Sequence, residues 1–403
     1  MFMQSSSSCA MFNLCIFLLL LFLLGSAKAE TKNEVKTKVY LSPKIELGPG
    51  MVSNKNYPAI DFPQGHVAIK SFDAELVDQD GNPVPLYQTY LHHWILIKYY
   101  QPIHNSTLPP IIFGNVSGVC NGNSLISLGS GSETRKTLSH VPDPYGIVVG
   151  NPSDAPAGYE EKWLLNVHAI DTRGVVDKLG CLECTCDLYN VTTDEDGKPL
   201  PPDYYGGMRC CRDGTRCSLK GGYNKGGNIT YYLKYTVRYM DWDPSIVPVR
   251  LFVLDVTDIV TKANGSQGIV YQHDCQVEYQ VKKSCSNITD FAKNGCTDTK
   301  SVSFSFPVGG KLVYGVGHLH VGGVSIAIHG QDGRDICTST TIYGKGTKAG
   351  NEAGYVVGMS TCYPKPGSVK IGGGETITLV SKYNSARRHA GVMGLFNILL
   401  ADS

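Results

Sequence analysis

Net charge is nearly absent from this chain: 36 Lys and Arg stand against 35 Asp and Glu, a formal +1 over 403 residues. No basic stripe or block of like charge accompanies that balance, which counts against nucleic acid and anionic membrane as partners. Beyond residue 29 nothing reaches the roughly 18 consecutive apolar residues of a spanning helix, so no membrane span is expected. A sustained 3.6-residue apolar period with capping residues is missing throughout, and no internal repeat stands out.

The apolar run Met11–Leu24 has the character of a signal-peptide core, about 7–15 residues, and Gly25-Ser26-Ala27-Lys28-Ala29 supplies a small-x-small cleavage pattern. Residues 1–29 therefore read as a signal peptide cut after Ala29, and the mature chain as secreted, extracellular or in the lumen of the secretory pathway. Of 14 Cys, Cys9 and Cys15 fall in this leader and an even number remain, which reads as a disulfide framework of undetermined connectivity. Sequons at Asn105, Asn115, Asn190, Asn228, Asn264 and Asn287 mark expected glycosylation sites on exposed loops.

Glycine (45), proline (21) and tyrosine (23) are abundant, and they punctuate short strand-like runs such as Trp94–Tyr100, Tyr231–Val237, Val324–Ile328 and Thr376–Val380. Asp80-Gly81-Asn82-Pro83 and Gln331-Asp332-Gly333 read as turns. The pattern is all-β, of β-sandwich or jelly-roll type. The mature chain is too long for one ordinary core and suits two tandem β-sandwich domains, 30–240 and 241–403, with the boundary near Asp241-Trp242-Asp243-Pro244. A Gly/Cys-rich insert spans 178–226, with Cys181-x-x-Cys184-x-Cys186 and Cys210-Cys211. In a secreted chain those cysteines read as disulfides rather than as a zinc site.

Two histidine pairs interrupt otherwise apolar segments: Leu91-His92-His93-Trp94 and Gly317-His318-Leu319-His320. Buried polar groups are costly unless satisfied. His318 and His320, two apart, share one face of a strand and form a natural bidentate metal site. His92 and His93 are adjacent and diverge on an ideal strand, so shared ligation needs a bulge, a strand end or an Nδ1 donor. His168, in Asn166-Val167-His168, alternates within an apolar run. Carboxylates are not clustered beside these residues in sequence, which argues against calcium, magnesium and a two-His-one-carboxylate iron site. Imidazoles with a thioether from Met393 or Met359 suit copper.

Taken together these segments resemble the copper type II, ascorbate-dependent monooxygenases, the family of peptidylglycine α-hydroxylating and dopamine β-monooxygenases. That resemblance implies two copper ions on two β-sandwich domains: one held by His92, His93 and His168, the other by His318, His320 and Met393. Met393 matches because it follows Tyr383-Asn384 and opens the last apolar strand; Met359 ranks second. The resemblance further implies that the first copper passes electrons drawn from ascorbate, and that the second binds O2 and acts on a substrate C–H bond. Val316 stands where peptide-hydroxylating members have an Arg, and Leu395 and Phe396 where they have Asn and Tyr. A peptide carboxylate is therefore not the expected substrate; a smaller, more apolar organic molecule is. Over most of its length the chain also resembles the plant stress up-regulated nodulin-like family, through Lys70–Val77, the His-His-Trp segment and Gly317–Gly323.

Three readings follow: a secreted copper monooxygenase or related oxidase acting on a small substrate, a non-catalytic extracellular stress-induced glycoprotein on the same fold, or a metal hydrolase. The last suffers from having no carboxylate base beside either pair.

Overall fold

Alternation in the sequence becomes alternation in burial. Strand Ile229–Asp241 buries Tyr231, Leu233, Tyr235, Val237 and Tyr239, every second residue, as an aromatic and β-branched strand with one covered face does. The computed structural model describes residues 34–103, 127–223, 226–265, 268–285 and 295–402. The expected signal peptide, Cys120, the sequons at Asn105, Asn115 and Asn287, and the side chain of Asn264 lie outside these residues. Asn190 and Asn228 are exposed.

The chain is nearly all β. An 11-stranded sheet runs in the order Lys36–Leu41, Ile229–Asp241, Val67–Asp78, Tyr145–Val149, Val247–Asp255, His389–Ala401, Gly310–Leu319 and Thr361–Cys362, with three short strands paired off this path. A four-stranded sheet holds Val52–Tyr57, Tyr159–Asp171, Thr89–Pro102 and Ser127–Ser130. A five-stranded sheet holds Thr297–Ser305, Thr376–Asn384, Gly323–His329, Asp335–Tyr343 and Val356–Met359. The strands that flank the expected boundary, Ile229–Asp241 and Val247–Asp255, both belong to the large sheet, and Val247–Asp255 pairs in parallel with Tyr145–Val149. Lys36–Ser403 forms one compact unit with a shared hydrophobic core.

Aromatic contacts join the four-stranded sheet to the large one. Phe72 of the large sheet stands 4.8 Å from Trp94, and Phe62, in the loop before Val67–Asp78, stacks between Phe72 at 6.4 Å and Trp163 at 4.1 Å, ring centroid to centroid. Full burial of such side chains contributes about 1.5–3 kcal/mol each. The five-stranded sheet packs against Gly310–Leu319, where a Cβ on Gly317 would lie 2.2 Å from Ile326 Cγ2. Only glycine allows that approach.

The Cys-rich insert contains two short helices, Lys178–Leu182 and Cys186–Tyr189, tied by Cys181–Cys217, Cys184–Cys211 and Cys186–Cys210. Cys285–Cys296 and Cys337–Cys362 are also bonded, so the cysteines act as a disulfide framework. At the end of the first helix, buried Glu183 accepts from Arg387 Nη2 at 2.5 Å and sits 2.8 Å from His389 Nδ1, latching the insert to the start of the last strand.

Candidate metal centre

Strand Thr89–Pro102 lies beside Tyr159–Asp171, and the pairing slips at His92. Leu91 faces Ala169 while His93 faces His168, so His92 is the extra residue of a β-bulge. The bulge removes the divergence that an ideal strand imposes. The ligating nitrogens of His92, His93 and His168 lie within 4.8 Å of one another.

His318 and His320 close strand Gly310–Leu319 with ring centroids 5.2 Å apart. The His320 ring stands 4.8 Å from that of His92, and the His92 ring stacks 4.5 Å from that of His168. The two pairs, expected one per domain, therefore adjoin. The physical reason is that the four-stranded sheet packs on the large sheet with the bulge facing the end of Gly310–Leu319. All five imidazoles are buried.

Tyr383, fully buried, fixes the far side: its hydroxyl accepts from His320 N at 2.8 Å and donates to Met393 O at 2.6 Å. Met393 is buried and lines a cleft together with His93 and His318. Met359 lies in the hydrophobic core on the Gly317 side of the strand, the side opposite His318, where its Cε would stand 3.2 Å from a Cβ at Gly317. The Cys184–Cys211 disulfide abuts His92; its sulfurs are bonded to each other and are not ligands.

His92 Nδ1, both nitrogens of His168 and His320 Nε2 are buried without a hydrogen-bond partner among the described residues. A buried polar atom left so costs about 1–3 kcal/mol, and such groups are rare in native proteins. Lone pairs aimed into a shared space fit a cation. Two further rings have their outer nitrogens held, as is typical of metal-binding histidines. His93 Nε2 lies 2.8 Å from Asn166 Oδ1, which fixes the Nε2–H tautomer and leaves Nδ1 as the donor atom. His318 Nδ1 lies 2.5 Å from Glu133 Oε1.

Glu133 is the residue that sequence reading missed. It sits in a single 3-10 turn, Ser132–Arg135, where Ser130 Oγ donates to it at 2.8 Å and Gly131 N at 3.0 Å. Gly131 permits the turn to press on the bulged strand: a Cβ there would stand 2.5 Å from His92 O. The short run Ser130-Gly131-Ser132-Glu133 is the only local signal. The buried Glu183–His389 pair was likewise not foreseen.

The electrostatics divide the cluster. Burial, then the neighbouring imidazoles, holds His92 and His168 well below the usual histidine range. Burial pushes His93 down to about 4 against the opposing Asn166 hydrogen bond. Burial, then the His318 charge, pushes His320 to about 3. Burial also disfavours charged His318, but the Glu133 carboxylate overcomes it and holds His318 above its ordinary value. Burial raises Glu133 in turn, and His318 pulls it down to about 2. The arrangement offers uncharged lone pairs with one buried carboxylate behind them.

Among solved structures the chain is similar to the mosquito-larvicidal Cry4Aa toxin from Bacillus thuringiensis, at 8% identity and a TM-score of 0.18, covering 83% of this chain and 58% of the toxin chain. It is similar also to the infectious bursal disease virus VP2 subviral particle, at 10% identity and a TM-score of 0.18, covering 96% of this chain and 78% of that one. Overlaps this low carry no argument. No curated protein matches the chain. The sequence model of the stress up-regulated Nod 19 family matches residues 33–403, and the chain belongs to that family.

Proposed function

We propose that this is a secreted copper-dependent monooxygenase or oxidase that acts on a small organic substrate with O2 and takes its electrons from ascorbate. The observation that supports this most is the convergence of five buried imidazoles, four of whose nitrogens have no hydrogen-bond partner among the described residues. His92, His93 and His168 would hold one ion, and His318, His320 and Met393 a second. Imidazole and thioether donors select copper, which would supply one-electron chemistry toward O2.

The chain's own residues do the rest. Asn166 and Glu133 orient His93 and His318, Tyr383 ties His320 to Met393, and the insert covers His92. The disulfides suit the oxidising compartment in which ascorbate would be met, such as the apoplast. Each half of the chain is read as a β-sandwich, the two sharing the large sheet.

The test is metal analysis of purified protein followed by oxygen uptake with ascorbate. Two copper ions per chain and uptake that falls in His318→Ala and Met393→Ala support the reading. Protein that takes up no copper, or uptake equal to the free-copper background in all three proteins, overturns it in favour of a non-catalytic glycoprotein.

A further inference from the structure

We infer that the cleft beside the cluster is a binding site for an uncharged, largely apolar small molecule with a single hydrogen-bonding tip. This deepens the proposed function by naming the substrate class of the same site, and its catalytic meaning rests on that reading. The cleft is about 410 Å³ and lies between the two sheets. That volume falls within the roughly 300–1,000 Å³ of small-molecule sites and is too small for a macromolecular segment of any length.

Strand alternation builds both walls. His93, Ile95 and Ile97 come from strand Thr89–Pro102; Met393, Leu395 and Asn397 come from His389–Ala401. Each set spans about 13 Å at the usual strand rise. Val253 and Val277 add apolar surface, and Met208 reaches in from the Cys-rich insert. His93, His318 and Met393 line its buried part, and exposed Asn56 lies to the side, joined to His93 through Asn166.

Charge decides the class. Among the described residues no Lys, Arg, Asp or Glu lines the cleft, and the Nδ1 of His318 is already taken by the Glu133 carboxylate. A charged ligand there would lose its water without gaining an unpaired counter-charge, which is costly. Besides His93, His318 and Ser130, whose hydroxyl is spent on Glu133, the polar groups are amides: Asn397 on the last strand, and Asn166, whose Nδ2 donates to Asn54 Oδ1 and to Asn56 Oδ1, each at 3.0 Å, while its Oδ1 faces His93 Nε2. Amides at the rim match a hydroxyl, carbonyl or amide tip, and the aliphatic walls match an aromatic or aliphatic body.

The experiment uses metal-free full-length protein and two fluorescent probes with the same body, uncharged N-phenyl-1-naphthylamine and anionic 1-anilinonaphthalene-8-sulfonate. The uncharged probe is expected to bind at one site per chain, at least about tenfold more tightly than the anion. Leu395→Trp and Val253→Trp should each weaken it by about tenfold or more while the far-UV circular dichroism is kept. Ile97→Lys should invert the preference and admit the anion at one site per chain with a cooperative thermal melt kept, whereas a misfolded chain binds this dye at many sites and loses the cooperative melt. Equal binding of both probes, or affinity unchanged by all three substitutions, overturns the inference. Because no metal is present, that failure leaves the copper reading standing. Protein that binds the probe but takes no copper keeps the cleft and loses the proposed activity.

Discussion

The two histidine pairs differ in what stands behind them. On the four-stranded sheet, His93 is held by a neutral amide, Asn166, and His92, His93 and His168 are all driven toward the uncharged form. At the end of Gly310–Leu319, His318 is held by a buried carboxylate, Glu133, which favours the charged ring, while His320 two residues on is driven neutral. One half is made of bare lone pairs. The other carries a built-in negative charge that would offset a cation's. The difference shows that two segments with the same residue types need not do the same job, because the partner of the outer nitrogen sets the electronic character of the ring.

Removing a ring from the bare half gives the largest expected effect. His168 is fully buried and its neutral ring has one nitrogen free to bind a metal, so His168→Ala deletes one donor atom of the proposed first site. Copper affinity of that half should drop by about a hundredfold or more, read as a fall from two ions to one by plasma mass spectrometry. If His168→Ala empties both halves together, the cluster is a single unit and the comparison collapses.

Acid separates the halves by sign. In metal-free protein His93 titrates near 4 and His320 near 3, below the ordinary 6.5. Between about 6.5 and 4 the unfolded chain binds protons that the folded chain refuses, so their contribution to stability is lost as pH falls through that window. His318 runs the other way: its contribution is full below 6.5 and is lost as pH rises through its elevated folded value. Glu133, shifted from 4.5 to about 2, loses its contribution only as pH falls below 4.5. Thermal melts of metal-free protein should show His93→Gln flattening the acid slope between pH 6.5 and 4. Glu133→Gln should leave a steeper one, since His318 then joins the depressed group. The same slope in both variants would refute the division.

With metal present, Glu133→Gln should cost about 10–100-fold in copper affinity, concentrated in the half holding His318. A competition titration against a chromophoric chelator measures it. A loss confined to the other half would mean that Glu133 acts on the bulged strand through Gly131 rather than on His318.

Local rules made much of this legible. Tyr231–Val237 and Thr376–Val380 alternate as half-buried strands do, and both lie in strands of that burial pattern. His318 and His320 share a face because the strand period is two. The bulge at His92 was legible only as a requirement, since it depends on the register with a strand more than 70 residues away. Glu133 was invisible for a different reason. It lies in a four-residue turn, 185 positions from the ring it contacts, so no local period announces it. The meeting of His92 with His320 follows from how two sheets pack, and one residue of register in either would abolish it.

The smallest expected effect comes from exchanging the character of the weaker partner. Asn166→Leu removes the acceptor at His93 Nε2 and two amide bonds to Asn54 and Asn56. The tautomer is then no longer imposed, and copper affinity of the first half should fall by about tenfold. Asn166→Asp keeps an acceptor and adds charge, giving His93 the kind of support that Glu133 gives His318. It should hold copper at least as well as wild type and shift the titration of His93 upward, visible by nuclear magnetic resonance of the ring protons in metal-free protein. Should Leu bind copper as tightly as Asn and Asp do, the outer partner of His93 is irrelevant, and the contrast between the halves reduces to Glu133 alone.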